Sequence, residues 1–257
     1  EKTWWGPNLD ESVSTTDVCA APMRARLTAA SSESAVLSPW SASTPLVPEI
    51  RLHLLRSDSP LWRSFSTEPD AATIRRPYWA FAWSGGQALA RYLLDRPELV
   101  AGRRVLDFAA GCGIAGIAAL RAGAAHVEAT EIDPCAVAAI GLNARLNGVE
   151  LSAACDDILY SKNRGWDLVL AGDIWYDSRL ARHGLCWLQS LAGEGVCVLT
   201  AEPGRSFSPA SILEELASYR ARSVPDVEDP RLEEVRVYRV PPAGGSARPL
   251  QNVGNRI

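Results

Sequence analysis

Three acidic residues stand where strand ends are expected. They are Asp107 in Val105-Leu106-Asp107-Phe108, Glu131 after Val127–Thr130, and Asp157 after Leu151–Ala154. Between the first two lies Gly111-Cys112-Gly113-Ile114-Ala115-Gly116, a match to the dinucleotide fingerprint G-x-G-x-x-G, with Glu131 following 20 residues after Gly111. In nicotinamide binders the first glycine follows the strand almost directly, so that backbone amides and a helix N-terminus meet a pyrophosphate. Here a carboxylate precedes Gly111 by four residues. It would repel a diphosphate and attract an ammonium. S-adenosylmethionine has an ammonium, a ribose and an adenine, and no phosphate. On this reading Asp107 meets the ammonium, Glu131 accepts both ribose hydroxyls, and Asp157 accepts from the adenine N6 amine. Each acid alone is equally compatible with a turn, surface or cap role; their place on three successive strand ends favours the ligand.

A second signal is Asp173-Ile174-Trp175-Tyr176 after the fourth strand. Amino-group methyltransferases acting on bases or glutamine place an N/D-P-P-Y stretch there, whose prolines shape a flat slot. This chain lacks those prolines. The acid and phenol of D-x-x-Y instead suit a lysine amine, with Asp173 orienting it and helping retain it after proton loss. The competing reading makes Trp175 and Tyr176 core aromatics and Asp173 a loop cap.

The elements that must carry these residues alternate. Strands are expected at Arg104–Phe108, Val127–Thr130, Leu151–Ala154, Trp166–Ala171, Val196–Thr200 and Val235–Val240. Helices are expected from Ser84 to just before Pro97 with Leu89, Tyr92 and Leu93 on one face, through about Arg121, from the Asp133 cap and Pro134 to Asn147-Gly148, over roughly Leu180–Leu191, and over Ser208–Tyr219. The pattern predicts an α/β fold, a Rossmann-like seven-strand methyltransferase sheet with helices on both faces and an N-terminal cap segment. Expected divisions are a disordered leader at 1–45, the cap segment and its helix at 46–100, the nucleoside-binding domain at 101–240, and a loose tail at 241–257. The cap carries Leu46, Ile50, Leu52, Leu54, Leu55, Trp62, Tyr78, Trp79, Phe81 and Trp83. Trp79 and Trp83 are spaced to share a helical face. Met23 is the sole methionine and a candidate translation start; Met-Arg-Ala-Arg-Leu before a Ser-rich tract has faint transit-peptide character, against which Glu33 counts.

Composition narrows the class. The 257 residues are 47% hydrophobic and 22% charged with net charge −4, ordinary for a globular chain and unlike a broad nucleic-acid surface. No apolar run approaches the ~20 residues that span a bilayer. Six cysteines without C-x-x-C read as reduced, buried thiols, and three scattered histidines have no zinc spacing, so no metal is expected.

Taken in order, Pro77-Tyr78-Trp79-Ala80-Phe81-Ala82-Trp83-Ser84-Gly85-Gly86, V-L-D-F-A-A-G-C-G, Glu131-Ile132-Asp133-Pro134, Gly172-Asp173-Ile174-Trp175-Tyr176-Asp177 and Glu202-Pro203-Gly204-Arg205 closely resemble the seven-strand lysine methyltransferases of the electron-transfer flavoprotein β subunit. Val47-Pro48-Glu49-Ile50-Arg51-Leu52 resembles that family's N-terminal segment, and the resemblance covers roughly residues 45–240. It implies S-adenosylmethionine as donor and a protein lysine as acceptor. By position it implies that Asp107 and the turn Ala109, Gly111, Gly113 hold the methionine end, Glu131 the ribose and Asp157 the adenine, with Ile132 also binding the cofactor. Trp83 would line the pocket, and Asp173 and Tyr176 would lie beside the lysine. Two residues depart from the pattern: Ala109 stands for the usual glycine and Glu131 for the commoner aspartate. Glu202–Arg205 is read as a shaper of the substrate rim. The implied partner is the flavoprotein β subunit or a ribosomal protein, acted on by a monomer without direct contact to nucleic acid or membrane, in the cytoplasm or, in a eukaryote, the mitochondrial matrix. A ribosomal-protein methyltransferase, a nicotinamide oxidoreductase and a non-catalytic binding module are the competing readings.

Overall fold

The computed structural model describes residues 42–55, 77–221 and 234–245. The expected leader up to residue 41, Trp62 of the cap and the tail beyond residue 245 lie outside the described residues.

The centre is a seven-stranded sheet. Its strands are β3 (Arg104–Phe108), β4 (His126–Glu131), β5 (Ser152–Cys155), β6 (Leu168–Gly172), β7 (Cys197–Glu202), β8 (Glu214–Arg220) and β9 (Glu234–Arg239), in the order β5-β4-β3-β6-β7-β9-β8. β3 to β7 run parallel, and β9 enters antiparallel between β7 and β8. The chain steps outward from β3 to β5, then returns to β6 beside β3. That reversal creates the crevice at the strands' carboxyl ends where ligands of such sheets bind.

Both faces of the inner strands are covered, which explains their continuous apolar runs. In β3, Val105 faces one core cluster with Leu168, Leu170, Leu199 and Ala201, while Leu106 and Phe108 face another with Val169, Ala171 and Val198. Helix α1 (Ser84–Asp95) buries Leu89, Tyr92 and Leu93 on the first face, as its spacing predicts. Helix α2 (Ile114–Arg121) packs on the same side, contributing Ala115 and Ala119. Helix α4 (Ser178–Gly193) covers the second face with Trp187, Leu188 and Leu191. Its N-terminus is capped by Asp177, whose Oδ1 accepts from Arg179 N and Leu180 N.

Helix α3 (Pro134–Leu146) begins as the Asp133-Pro134 signal predicts: Asp133 Oδ1 accepts from Cys135 N at 2.8 Å. Asn143 of α3 and Asn147, which caps its C-terminus, hold the N-terminal segment. Asn143 Oδ1 accepts from His53 N at 2.7 Å; Asn147 accepts from Arg51 N and donates to Arg51 O. That segment forms a small ribbon of β1 (Ala42–Ser43) and β2 (Arg51–Leu52). Val47, Ile50 and Leu52 enter a core with Ile114 and Ile117 of α2.

Three expectations are corrected. Ser208–Tyr219 is not a helix: it forms a 3-10 turn (Ala210–Ile212) and then β8. Glu, Leu and Ala favour helix in isolation, but pairing with β9 decides the outcome, and the register shift between Glu215 and Ala217 hides the strand's period of two. Trp79 and Trp83 do not share a helical face, because Trp79 sits in a 3-10 turn (Tyr78–Ala80) and Trp83 precedes α1 in extended backbone. The thiols are not uniformly buried: Cys112 is, whereas Cys155 and Cys186 are exposed.

Candidate active site

Because β3 to β7 are parallel, their carboxyl ends share one edge, and each delivers an acid to it. Asp107 is the penultimate residue of β3, Glu131 ends β4, Asp157 lies two residues beyond β5, Asp173 follows β6, and Glu202 ends β7.

The glycine turn lies beyond β3. Ala109, Gly111 and Gly113 all have left-handed backbone, with φ of 52°, 57° and 80°. Glycine suits such angles; alanine carries about 1–2 kcal/mol of strain there. Gly111 N donates to Glu131 Oε1 at 2.8 Å, and Ile132 N donates to Glu131 Oε2 at 3.1 Å. In the dinucleotide fingerprint the backbone at the second glycine approaches the pyrophosphate; here the Gly113 amide donates to Ala110 O at 2.8 Å. Residues 105–120 contain no arginine or lysine to offset a phosphate charge. This donor set fits a cationic, hydroxyl-bearing nucleoside and does not fit a dinucleotide. Asn143 Nδ2 donates to Cys112 O and holds the turn against α3.

Asp107 is 2% exposed and its Oδ2 accepts from Gly116 N at 2.8 Å. The carboxylate therefore lies under the turn, bracing the first turn of α2. Gly116 must be glycine for this approach: a Cβ there would stand 3.0 Å from that same oxygen and 2.9 Å from Leu151. Burial pushes the Asp107 carboxyl up to about 7, opposed by the Gly116 hydrogen bond and aided by the Glu131 charge. Asp157 is exposed and makes a local turn, its Oδ1 accepting from Leu159 N. Ile132 is exposed beside Glu131.

The D-x-x-Y stretch divides its residues. Trp175 is fully buried, its Nε1 donating to Thr200 Oγ1, which in turn donates to Ala171 O. That anchor fixes the turn after β6 and leaves Tyr176 outward, 54% exposed. Thus Trp175 is core and Tyr176 is not. The Tyr176 phenol is pushed up to about 12, first by the protein packed around it, then by the charge of Glu131, by Tyr78, and by Asp177 and Asp173. The phenol is therefore protonated at neutral pH and can donate a hydrogen bond.

Asp173 has φ 56° and is 8% exposed. Its Oδ2 accepts from Gly85 N at 2.8 Å, capping α1 from another strand end. Its Oδ1 accepts from Arg205 Nε at 2.7 Å. The approach demands Gly85, where a Cβ would meet Ala201 O at 2.4 Å and Asp173 N at 2.9 Å. The sequence signalled Asp173 but not these partners. An acid-Pro-Gly-Arg stretch at a strand end was the available sign.

The cap closes the crevice from above. Trp79 Nε1 donates to Asp133 Oδ2 at 3.0 Å, and Trp79 Cα lies 4.0 Å from where a Gly111 Cβ would be. Trp83 Nε1 donates to Tyr78 O, and the Arg205 guanidinium carbon is 5.7 Å from the Trp83 ring centre. Tyr78 packs against both Trp83 and Tyr176, with ring centres 5.9 and 5.8 Å apart.

Relatives of known type fit this geometry. The electron transfer flavoprotein beta subunit lysine methyltransferase of Xenopus laevis is 41% identical over 189 residues, 72% of this chain and 76% of that protein. The chain belongs to the electron transfer flavoprotein beta subunit lysine methyltransferase family. It is an S-adenosylmethionine-dependent methyltransferase. The Danio rerio member is 45% identical over 166 residues, 64% of this chain and 63% of that protein. A family model for ribosomal protein L11 methyltransferase (PrmA) matches residues 88–174. The L11 methyltransferase of Geobacter sulfurreducens is 41% identical over 115 residues, 44% of this chain and 38% of that protein. Likeness to that second group is thus narrower than likeness to the flavoprotein methyltransferases.

Proposed function

We propose that this enzyme methylates a lysine amine of the electron-transfer flavoprotein β subunit. Family membership supports the substrate, and the single observation that carries the chemistry is Asp173, just beyond the carboxyl end of β6 and three residues before Tyr176, with its two oxygens fixed by Gly85 N–H and Arg205 Nε.

When bound, the donor supplies a methyl group on a sulfonium that is already an activated leaving group. The residues that would hold it are Ala109, Gly111 and Gly113 of the turn, Glu131 at the ribose with Ile132 next to it in sequence, Asp157 at the adenine, and Trp83 lining the pocket. Asp107 acts through the turn it braces, its Oδ2 accepting from Gly116 N.

The protein's main task is alignment and the exclusion of water. A carboxylate has about four lone-pair sites, and Gly85 and Arg205 use two of those on Asp173. The remainder can accept from an incoming amine. Asp173 is thereby an orienting acceptor of a neutral amine rather than a strong base. The lysine sheds its proton as it leaves water for the aromatic mouth of Tyr78, Trp83 and Tyr176, since desolvation lowers an ammonium pKa. The protonated Tyr176 phenol is available as a donor at the rim.

Incubation with methyl-labelled S-adenosylmethionine and cell extract, followed by identification of the labelled protein, tests the reading. Label on the flavoprotein β subunit is expected. Label on ribosomal protein L11 instead would transfer the enzyme to the second group, for which the match over residues 88–174 speaks.

A further inference from the structure

The loop after β7 is built around one buried carboxylate. Glu202 is 2% exposed; its Oε2 accepts from Gly204 N at 2.5 Å and Arg205 N at 2.6 Å, and its Oε1 accepts from Ser208 Oγ at 2.8 Å. Gly204 takes φ 98°, which turns the chain back on the carboxylate. Burying a charge is costly unless its hydrogen bonds are made, and here three donors converge on it. The product of that arrangement is the position of Arg205. Its guanidinium lies near the Trp83 ring and its Nε meets Asp173 Oδ1.

We propose that Arg205, held by Glu202, is a positioning residue that fixes the Asp173 carboxylate toward the methyl-accepting lysine. The proposal rests on the methyl-transfer reading. Asp173 sits in left-handed backbone, a conformation that persists only where surroundings over-determine it. Gly85 N–H fixes one oxygen and Arg205 the other, so the carboxylate plane is set by two elements distant in sequence. Loss of Arg205 leaves a single anchor, about which the carboxylate can swing. Misplacement of about 1 Å costs roughly 100-fold in rate.

Two measurements separate positioning from a purely structural ion pair. Amide hydrogen exchange at Gly85 reads the Asp173 contact without turnover, and the Gly116 amide, which donates to Asp107, reads global integrity. In Arg205→Ala, Gly85 exchange is expected to quicken at least roughly tenfold with Gly116 unchanged. The kcat on the acceptor protein is expected to fall roughly 100-fold, with KM for the donor within about twofold. Glu202→Ala is expected to move both readouts the same way. Unchanged Gly85 exchange in Arg205→Ala, or wild-type kcat, overturns the proposal. Should Arg205→Ala also lose Gly116 protection, Arg205→Lys decides: a folded variant with kcat lowered at least roughly tenfold supports positioning by the planar guanidinium, and wild-type kcat refutes it. A wild-type protein that methylates no lysine sinks the methyl-transfer reading, while Gly85 exchange still reports whether Arg205 places Asp173.

Discussion

Glu131 Oε1 accepts a hydrogen bond from Gly111 N at 2.8 Å. One short contact thus joins the end of β4 to the turn after β3 and holds the Glu131 carboxylate at that turn. It places the acid where a ribose hydroxyl could meet it. Hydrogen bonds to charged groups contribute about 1.5–3 kcal/mol. Glu131→Ala is therefore expected to weaken S-adenosylmethionine binding by roughly 10- to 100-fold in calorimetry, with no gain of affinity for NAD.

Asp173 meets a donor on each oxygen. In Asp173→Asn, whichever way the amide turns, its NH2 faces either Gly85 N–H or Arg205 Nε–H. A loss of about 1–3 kcal/mol of stability is expected from denaturant unfolding. Donor affinity should stay close to wild type, while turnover falls by at least roughly 100-fold.

Gly85 is an equally sharp test of the close approach. In Gly85→Ala the new Cβ would lie 2.4 Å from Ala201 O, a backbone atom that cannot swing aside. A stability loss of about 3 kcal/mol, the upper end of ordinary overpacking, is expected together with loss of turnover.

Asp107 gives a pH signature. Its carboxyl rises from an ordinary unfolded value near 3.8 to about 7 because it is buried. Between those values the folded state holds more protons than the unfolded state, so this group's contribution to stability falls as pH rises through that window. Asp107→Asn should flatten that decline. Thermal unfolding between pH 4 and 7 on both proteins checks it, and parallel profiles would refute the assignment.

Much of this was legible in the sequence, for physical reasons that differ by residue. Buried parallel strands advertise themselves by apolar runs such as Leu168–Ala171, and Asp133-Pro134 announced α3 because cap chemistry is local. The acids at strand ends were visible because topology, not side-chain detail, puts them on one edge. The inward turn of Asp107 was not, since the Gly116 amide it meets belongs to the next helix. Nor was the Asp173–Arg205 pair, whose members lie 32 residues apart and meet only when β6 and β7 align. β8 stayed hidden because its bulge breaks alternation and its partner β9 follows it in the chain.

The most direct measurement is the intact mass of purified electron-transfer flavoprotein β subunit after incubation with this enzyme and S-adenosylmethionine. The account expects mass gained in whole methyl increments, mapped by fragmentation to lysine and absent with Asp173→Asn. An unchanged mass under conditions where the enzyme binds its donor, or methyl groups mapped to residues other than lysine, would contradict it.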